Sequence, residues 1–167
     1  ANIISNLEKK SVKKVANILL KSGHGHNVIE LKDTARSAAD AATALDVPVG
    51  AIVKTLVFII SDNNHNTPVI ALVAGDKQCR TDMLPRVLGC CGEVIRPGAD
   101  IVKEITGYSI GGVSPLGLPE KLDVILDASL KRFETIWSAA GHTHCVFPAT
   151  FVQLANMTKS IESDQIT

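Results

Sequence analysis

Ala51-Ile52-Val53-Lys54-Thr55-Leu56-Val57-Phe58-Ile59-Ile60 is an apolar run with one charge inside it. Read with a period of two, Ile52, Lys54, Leu56, Phe58 and Ile60 share one face, and Val53, Thr55, Val57 and Ile59 share the other. Both faces read as buried, so this is an interior strand. An ammonium carried into or beside a core is costly unless it sheds its proton, snorkels to water or meets an anionic or strongly polar partner. Lys54 is therefore either a strand-end lysine with its amine in solvent or a pocket lysine on a phosphate, a ribose or a carbonyl. A Schiff-base role is open in principle.

The segments around this strand complete a mixed fold. Ser61 to Asn66 is a polar turn cluster, and Val69 to Ala74 is the antiparallel partner that closes a hairpin. Upstream, residues 7 to 22 carry aliphatics at helical spacing and stop at Ser22-Gly23, and His26 to Leu31 reads as a short strand. Asp33 or Thr34 then caps an alanine-rich helix, roughly 35 to 45. Downstream, helices are expected at 82 to 88, 99 to 105 and 150 to 157, and strands at 93 to 95, 122 to 126, 135 to 139 and 145 to 147. The polar tail after Lys159 is expected to fray. The fold class is α/β (α+β mixed), with a mixed sheet curled towards a barrel and helices around it. The whole chain, 1 to 167, reads as a single domain.

Composition narrows the function. With 46% apolar and 20% charged residues the chain is an ordinary globular one. Seventeen basic residues balance seventeen acidic ones. A protein that coats a duplex usually has a basic excess, so a nucleic-acid end or a nucleotide is the larger ligand this chain suits. Lys9, Lys10, Lys13, Lys14 and Lys21 form a locally basic stretch, either a solvated helix face or a phosphate-contacting patch. Cys79, Cys90, Cys91 and Cys145 show no C-x-x-C spacing and read as reduced thiols. No apolar run approaches the length of a membrane span and no signal peptide opens the chain, so a cytoplasmic location without membrane contact is expected.

Two further segments carry chemistry. Gly111-Gly112-Val113-Ser114-Pro115 is a turn in its simplest reading. Two adjacent glycines also let main-chain amides approach a ligand carbonyl as an oxyanion hole. Ser114 lacks a G-x-S-x-G elbow and an evident base. In Gly141-His142-Thr143-His144-Cys145, a His-x-His pair on a strand puts two imidazoles on one face, yet no third or fourth metal ligand is spaced nearby. His142 and His144 are thus metal ligands, pocket histidines or packed surface histidines. A P-loop, a dinucleotide fingerprint and a zinc-finger spacing are absent.

Taken together, the chain resembles the YbaK/EbsC family, the free-standing relatives of the bacterial prolyl-tRNA synthetase editing domain. The likeness is carried by Thr-Ala-Arg-Ser-Ala-Ala-Asp-Ala-Ala (34 to 42), Ile-Val-Lys-Thr-Leu-Val-Phe (52 to 58), Gly-Asp (75 to 76), Thr-Gly-Tyr-Ser-Ile-Gly-Gly-Val-Ser-Pro-Leu-Gly (106 to 117) and the strand end at Asp127. It implies a compact fold around a strongly bent mixed sheet or partial barrel, with no metal and no organic cofactor. It also implies hydrolysis of the ester that joins a wrong amino acid to the 3′-terminal adenosine of a tRNA. The family's lysine falls on Lys54 and its G-x-x-x-P loop on Gly111 through Pro115. A pocket histidine that judges the amino acid falls on His142 or His144.

Under this resemblance Lys54 clamps the terminal nucleotide and the glycine-loop amides hold the carbonyl oxygen, each well-aimed donor contributing about 3 kcal/mol. Val113, Ser114 and Pro115 would complete the substrate contacts. Water attacks with help from the neighbouring ribose hydroxyl, or the substrate's own thiol attacks in cysteine-specific members. The expected substrates are tRNA(Pro)-type molecules carrying Ala, Cys, Ser or Thr, delivered by a synthetase or an elongation factor. Two other readings stand beside it. One is a catalytically silent module that binds a tRNA end or nucleotide or serves as a synthetase subunit. The other is a metal-dependent hydrolase using His142, His144 and Cys145.

Overall fold

The computed structural model describes residues 5–33 and 35–167. A 3-10 turn at Asn6–Glu8 leads into α1 (Lys10–Lys21), which buries Val12, Val15 and Leu19 along one face and leaves its lysines outside. The short β1 (Ile29–Glu30) follows, then α2 (Ala38–Leu45). After a 3-10 turn at Val49–Ala51 come β2 (Val53–Asp62) and β3 (His65–Ala74). Next are α3 (Met83–Leu88), β4 (Glu93–Ile95), α4 (Ala99–Thr106) and β5 (Asp123–Asp127). The chain closes with β6 (Ile136–His142), β7 (Cys145–Ala149), α5 (Phe151–Thr158) and β8 (Ile161–Ser163).

β2 and β3 pair over their full length, from Val53 opposite Ala74 to Asp62 opposite His65. Asn63 and Asn64 both take positive φ, the geometry that a two-residue turn needs to match strand twist. β4 pairs antiparallel with the far end of β2, whereas β5 runs parallel to β3 and β8 parallel to β5. The resulting mixed sheet has the order β4-β2-β3-β5-β8. Both faces of β2 are covered, as its periodicity predicts. Val53 and Val57 join the larger core with Ile70, Leu72 and Leu126, and Phe58 and Ile60 join a second core with Val69, Val73 and Leu84.

Four expectations need correction. A strongly bent sheet or partial barrel is not what forms. A separate antiparallel sheet, β1-β7-β6, stands beside the five-stranded one, and no sheet is closed or strongly curled. Among the described residues a single bridge, Ile52 to Trp137, links the two, because β2 then runs past β6 along a cavity instead of pairing with it. The strand at 26 to 31 shrinks to two residues, since only Ile29 and Glu30 pair with β7. The alanine helix starts three residues late. Ser37 is its cap, its Oγ accepting from the Asp40 amide at 3.1 Å, while Thr34 lies outside the described residues.

The tail does not fray. β8 pairs with β5, the buried Ile166 accepts from the Arg80 amide at 2.6 Å, and the Thr167 hydroxyl donates to Asp127 at 3.1 Å. Parallel pairing satisfies the tail's backbone although its side chains are mostly polar.

Candidate active site

A cavity of ≈ 450 Å³ opens where β2 leaves the second sheet, a size usual for small-ligand sites. Its floor is the stretch Ile52 to Val57, and Trp137, Ser138 and Ala139 of β6 form a facing wall. The segment Ala35–Ala38 and the loop residues Ile110, Gly111 and Val113 close the sides.

Lys54 is half-buried on this floor. Its ammonium donates to the main-chain carbonyl of Lys77, in the turn just after β3. That turn is fixed from two directions. Gly75 has room for no side chain, because a Cβ there would come within 2.3 Å of the Val49 carbonyl oxygen. Asp76 accepts a two-pronged grip from Arg132 at 2.8 and 2.7 Å, and this hydrogen bonding holds its carboxyl below the usual carboxylate range. The Gly-Asp pair of the sequence thus fixes the turn whose Lys77 carbonyl receives Lys54.

Asp127 is fully buried at the end of β5. Its two oxygens accept from the Ala74 amide, the Ser129 amide and hydroxyl, and the Thr167 hydroxyl, so the carboxylate ties β3, β5 and the tail together.

The glycine loop packs directly on the β6–β7 turn. Gly111 has φ +92, and a Cβ on it would lie 2.8 Å from the Thr143 methyl. A Cβ on Gly112 would lie 2.8 Å from both the nitrogen and Cα of His142. The Gly112 amide donates to the Ser109 carbonyl at 3.0 Å and so is spent inside its own loop. Among the described residues, the amides of Gly111 and Val113 make no hydrogen bond, and both residues line the cavity.

His142 also lines the cavity. Its Nδ1 accepts from the His144 amide at 3.1 Å, which fixes the ring, and the two imidazoles stack with centroids 5.2 Å apart. Burial, then the charges of Lys9 and His144, lower its pKa below the ordinary imidazole value, with Glu30 opposing. The neutral form of the ring is thereby favoured.

Four of the expected site residues come together at the cavity: Lys54, Gly111, Val113 and His142. Gly112, Ser114, Pro115 and His144 do not line it. Ser114 is fully buried, and its Oγ accepts from the Leu116 amide at 3.2 Å in a local turn. The buried Pro115 continues that turn. Among the described residues, no three His, Cys, Asp or Glu side chains are grouped to hold a metal, and this removes the basis for reading His142, His144 and Cys145 as a metal centre. Burial pushes the Cys145 thiol up to about 11.

Sequence reasoning missed Thr55, Arg36, Arg96 and Trp137 at the cavity. Thr55 stands beside Lys54 with its hydroxyl buried and unpaired. Arg36 lies within the alanine-rich motif at 34 to 42, which could have flagged it; Arg96 and Trp137 carry no such signal.

The aminoacyl-tRNA editing domain model matches residues 32–156, spanning the lysine strand, the glycine loop and the histidine hairpin. The chain belongs to the aminoacyl-tRNA editing domain family. It is similar to a solved structure described as that of a candidate trans-editing enzyme for prolyl tRNA synthetase. The TM-score is 0.83 at 31% identity, covering 95% of this chain and 98% of that one. The uncharacterized protein YwhH of Bacillus subtilis is 28% identical over 150 residues, 90% of this chain and 92% of that protein. The proline–tRNA ligase of Lactobacillus acidophilus is 31% identical over 140 residues, 81% of this chain but 23% of the ligase. The likeness to the ligase is therefore to one segment of a much longer protein. The fold matches that of the solved relative, a mixed α/β arrangement of two sheets and five helices among the described residues. No helix among the described residues is long and apolar enough to cross a membrane.

Proposed function

We propose that this editing domain acts in trans as a deacylase, hydrolysing the ester between a small amino acid and the 3′-terminal adenosine of a mischarged tRNA, of the tRNA(Pro) type. The observation that carries the reading is the meeting of Lys54, the unspent amides of Gly111 and Val113, and the ring of His142 at one largely apolar cavity. Acting in trans is supported by the solved relative described as a trans-editing enzyme, 98% of whose length is covered.

In this mechanism the Lys54 ammonium holds the terminal nucleotide through an anionic or ribose oxygen. The ester carbonyl oxygen sits against the amides of Gly111 and Val113. Val113 takes the place expected for Gly112, whose amide is already bonded. A water adds to the carbonyl carbon and gives its proton, by way of the neighbouring ribose hydroxyl, to the departing ribose oxygen as the ester C–O bond breaks. The products are the free amino acid and an intact tRNA. An aminoacyl ester is already activated, so positioning and charge stabilisation supply most of the acceleration. His142, held by the His144 amide, faces the amino-acid side chain.

The test is a deacylation panel in which purified protein meets tRNA(Pro) charged with alanine, cysteine, serine or threonine. Loss of at least one amino acid at a rate above spontaneous hydrolysis supports the reading. Tight tRNA-end binding with no hydrolysis of any ester would replace it with a non-catalytic binding module.

A further inference from the structure

Among the described residues, the cavity's lining contains three cations, Arg36, Lys54 and Arg96, and no aspartate or glutamate. In a chain whose 17 basic and 17 acidic residues balance, that is a marked local segregation. The ion pairs of the described residues are Lys13–Glu8, Lys131–Glu162 and Arg132–Asp76, and none involves these three cations. They arrive from separate places: Arg36 from the segment before α2, Lys54 from β2 and Arg96 from the residues after β4. An anion in this cavity would therefore meet cationic donors from three segments of the chain and no carboxylate.

We propose that Arg36 and Arg96 form, with Lys54, a phosphate clamp at the cavity rim, which holds the backbone phosphate preceding the terminal adenosine of the RNA. The inference rests on the deacylase reading and deepens it by assigning the part of the RNA that the site holds.

The donor inventory fits. Lys54 spends one ammonium proton on the Lys77 carbonyl and keeps two. The Arg96 guanidinium carbon lies 5.7 Å from the Phe58 ring centroid, a cation–π contact that steadies the group beside the cavity. Neither arginine is in an ion pair, and a planar fork suits two phosphate oxygens. The rest of the lining is mostly apolar and includes Trp137, half-buried and facing the same space, a surface on which a base can stack. Cationic rim and aromatic wall together select a ligand with one anionic and one flat apolar part. A nucleotide is such a ligand.

Trp137 is the only tryptophan of the chain, so intrinsic fluorescence reports on the cavity, with calorimetry as a second measure of binding. The probes are the dinucleotide CpA, adenosine and inorganic phosphate, each titrated across a salt series. In the wild-type protein CpA should bind at least about tenfold more tightly than adenosine at low salt, and phosphate should compete with CpA. Arg36→Gln with Arg96→Gln should remove that advantage and make log affinity against log salt shallower, by at most about 0.7, since CpA carries one phosphate. Arg86→Gln, an exposed change on α3 away from the cavity, should leave both unaltered.

Equal affinity for CpA and adenosine, or an unchanged salt slope in the double variant, would overturn the clamp. Deacylation separates this from the reading beneath it. If mischarged tRNA is hydrolysed with the same KM by wild type and double variant, the clamp fails and the deacylase stands. If no ester is hydrolysed while the double variant still loses CpA, the clamp stands and the deacylase fails.

Discussion

Gly112 and His142 are in backbone contact across two loops, with space for no side chain between them: a Cβ on Gly112 would meet the His142 nitrogen and Cα at 2.8 Å. This contact, more than amide presentation, explains why a second glycine follows Gly111. Main chain cannot swing aside as the end of a flexible side chain can. Gly112→Ala should therefore displace the loop, lowering stability by about 1–3 kcal/mol and cutting deacylation sharply. Thermal melting and single-turnover hydrolysis measure the two effects. An alanine variant with wild-type melting and rate would show that the loop has slack.

Thr55 carries a buried hydroxyl with no partner. Such a group costs desolvation without recovering a hydrogen bond. Thr55→Val keeps the shape and removes that cost, so urea unfolding should give equal or greater stability, by about 1 kcal/mol. A loss of stability of the same size would mean that an ordered water satisfies the hydroxyl.

Arg132 grips Asp76 on the surface, and the adjacent Lys77 carbonyl receives the Lys54 ammonium. Both side chains of this pair keep a third or so of their exposure, so solvent screening limits its worth to below about 1 kcal/mol of stability. Arg132→Gln should thus leave the melting temperature nearly unchanged while loosening the mount of Lys54. The expected result is a fall of about tenfold in kcat for deacylation, because small misplacements at a reacting centre are costly. An equal loss of stability and activity would instead mark the pair as purely structural.

His142 has its pKa lowered, chiefly by burial and next by the charge of Lys9. The unfolded chain, titrating near 6.5, then binds more protons than the folded one as pH drops through that value. This group's contribution to stability is present above 6.5 and lost on acidification through the lower folded value. Lys9→Gln removes a repelling cation, so the His142 ring resonances in an NMR titration should move at higher pH in the variant. No movement would mean that the Lys9 charge does not act on the ring.

How much of this was legible in the sequence follows from range of interaction. The β2–β3 hairpin and its lysine were readable because a period of two and the Asn63-Asn64 turn are local signals. The division into two sheets was not, since it depends on one bridge between Ile52 and Trp137, far apart in the chain. β8 was missed because Ile161–Ser163 is a strand only by virtue of β5 beside it. At the site, Lys54 stood out as a charge among aliphatics. Arg36 and Arg96 look like ordinary surface residues until three distant segments are brought to one cavity. The local turn that the Ser114 hydroxyl closes was not legible, because the motif's pattern does not reveal a contact two residues long.

The central claim is that Lys54 makes this cavity a hydrolytic site for aminoacyl esters. The most direct measurement is single-turnover deacylation of alanyl-, cysteinyl-, seryl- and threonyl-tRNA(Pro) by wild type and Lys54→Ala, with tRNA binding followed in parallel. The expected result is hydrolysis of at least one ester by the wild type and a rate at least about a hundredfold lower in Lys54→Ala. Failure to hydrolyse any of the four, together with unchanged tRNA binding by Lys54→Ala, would contradict it.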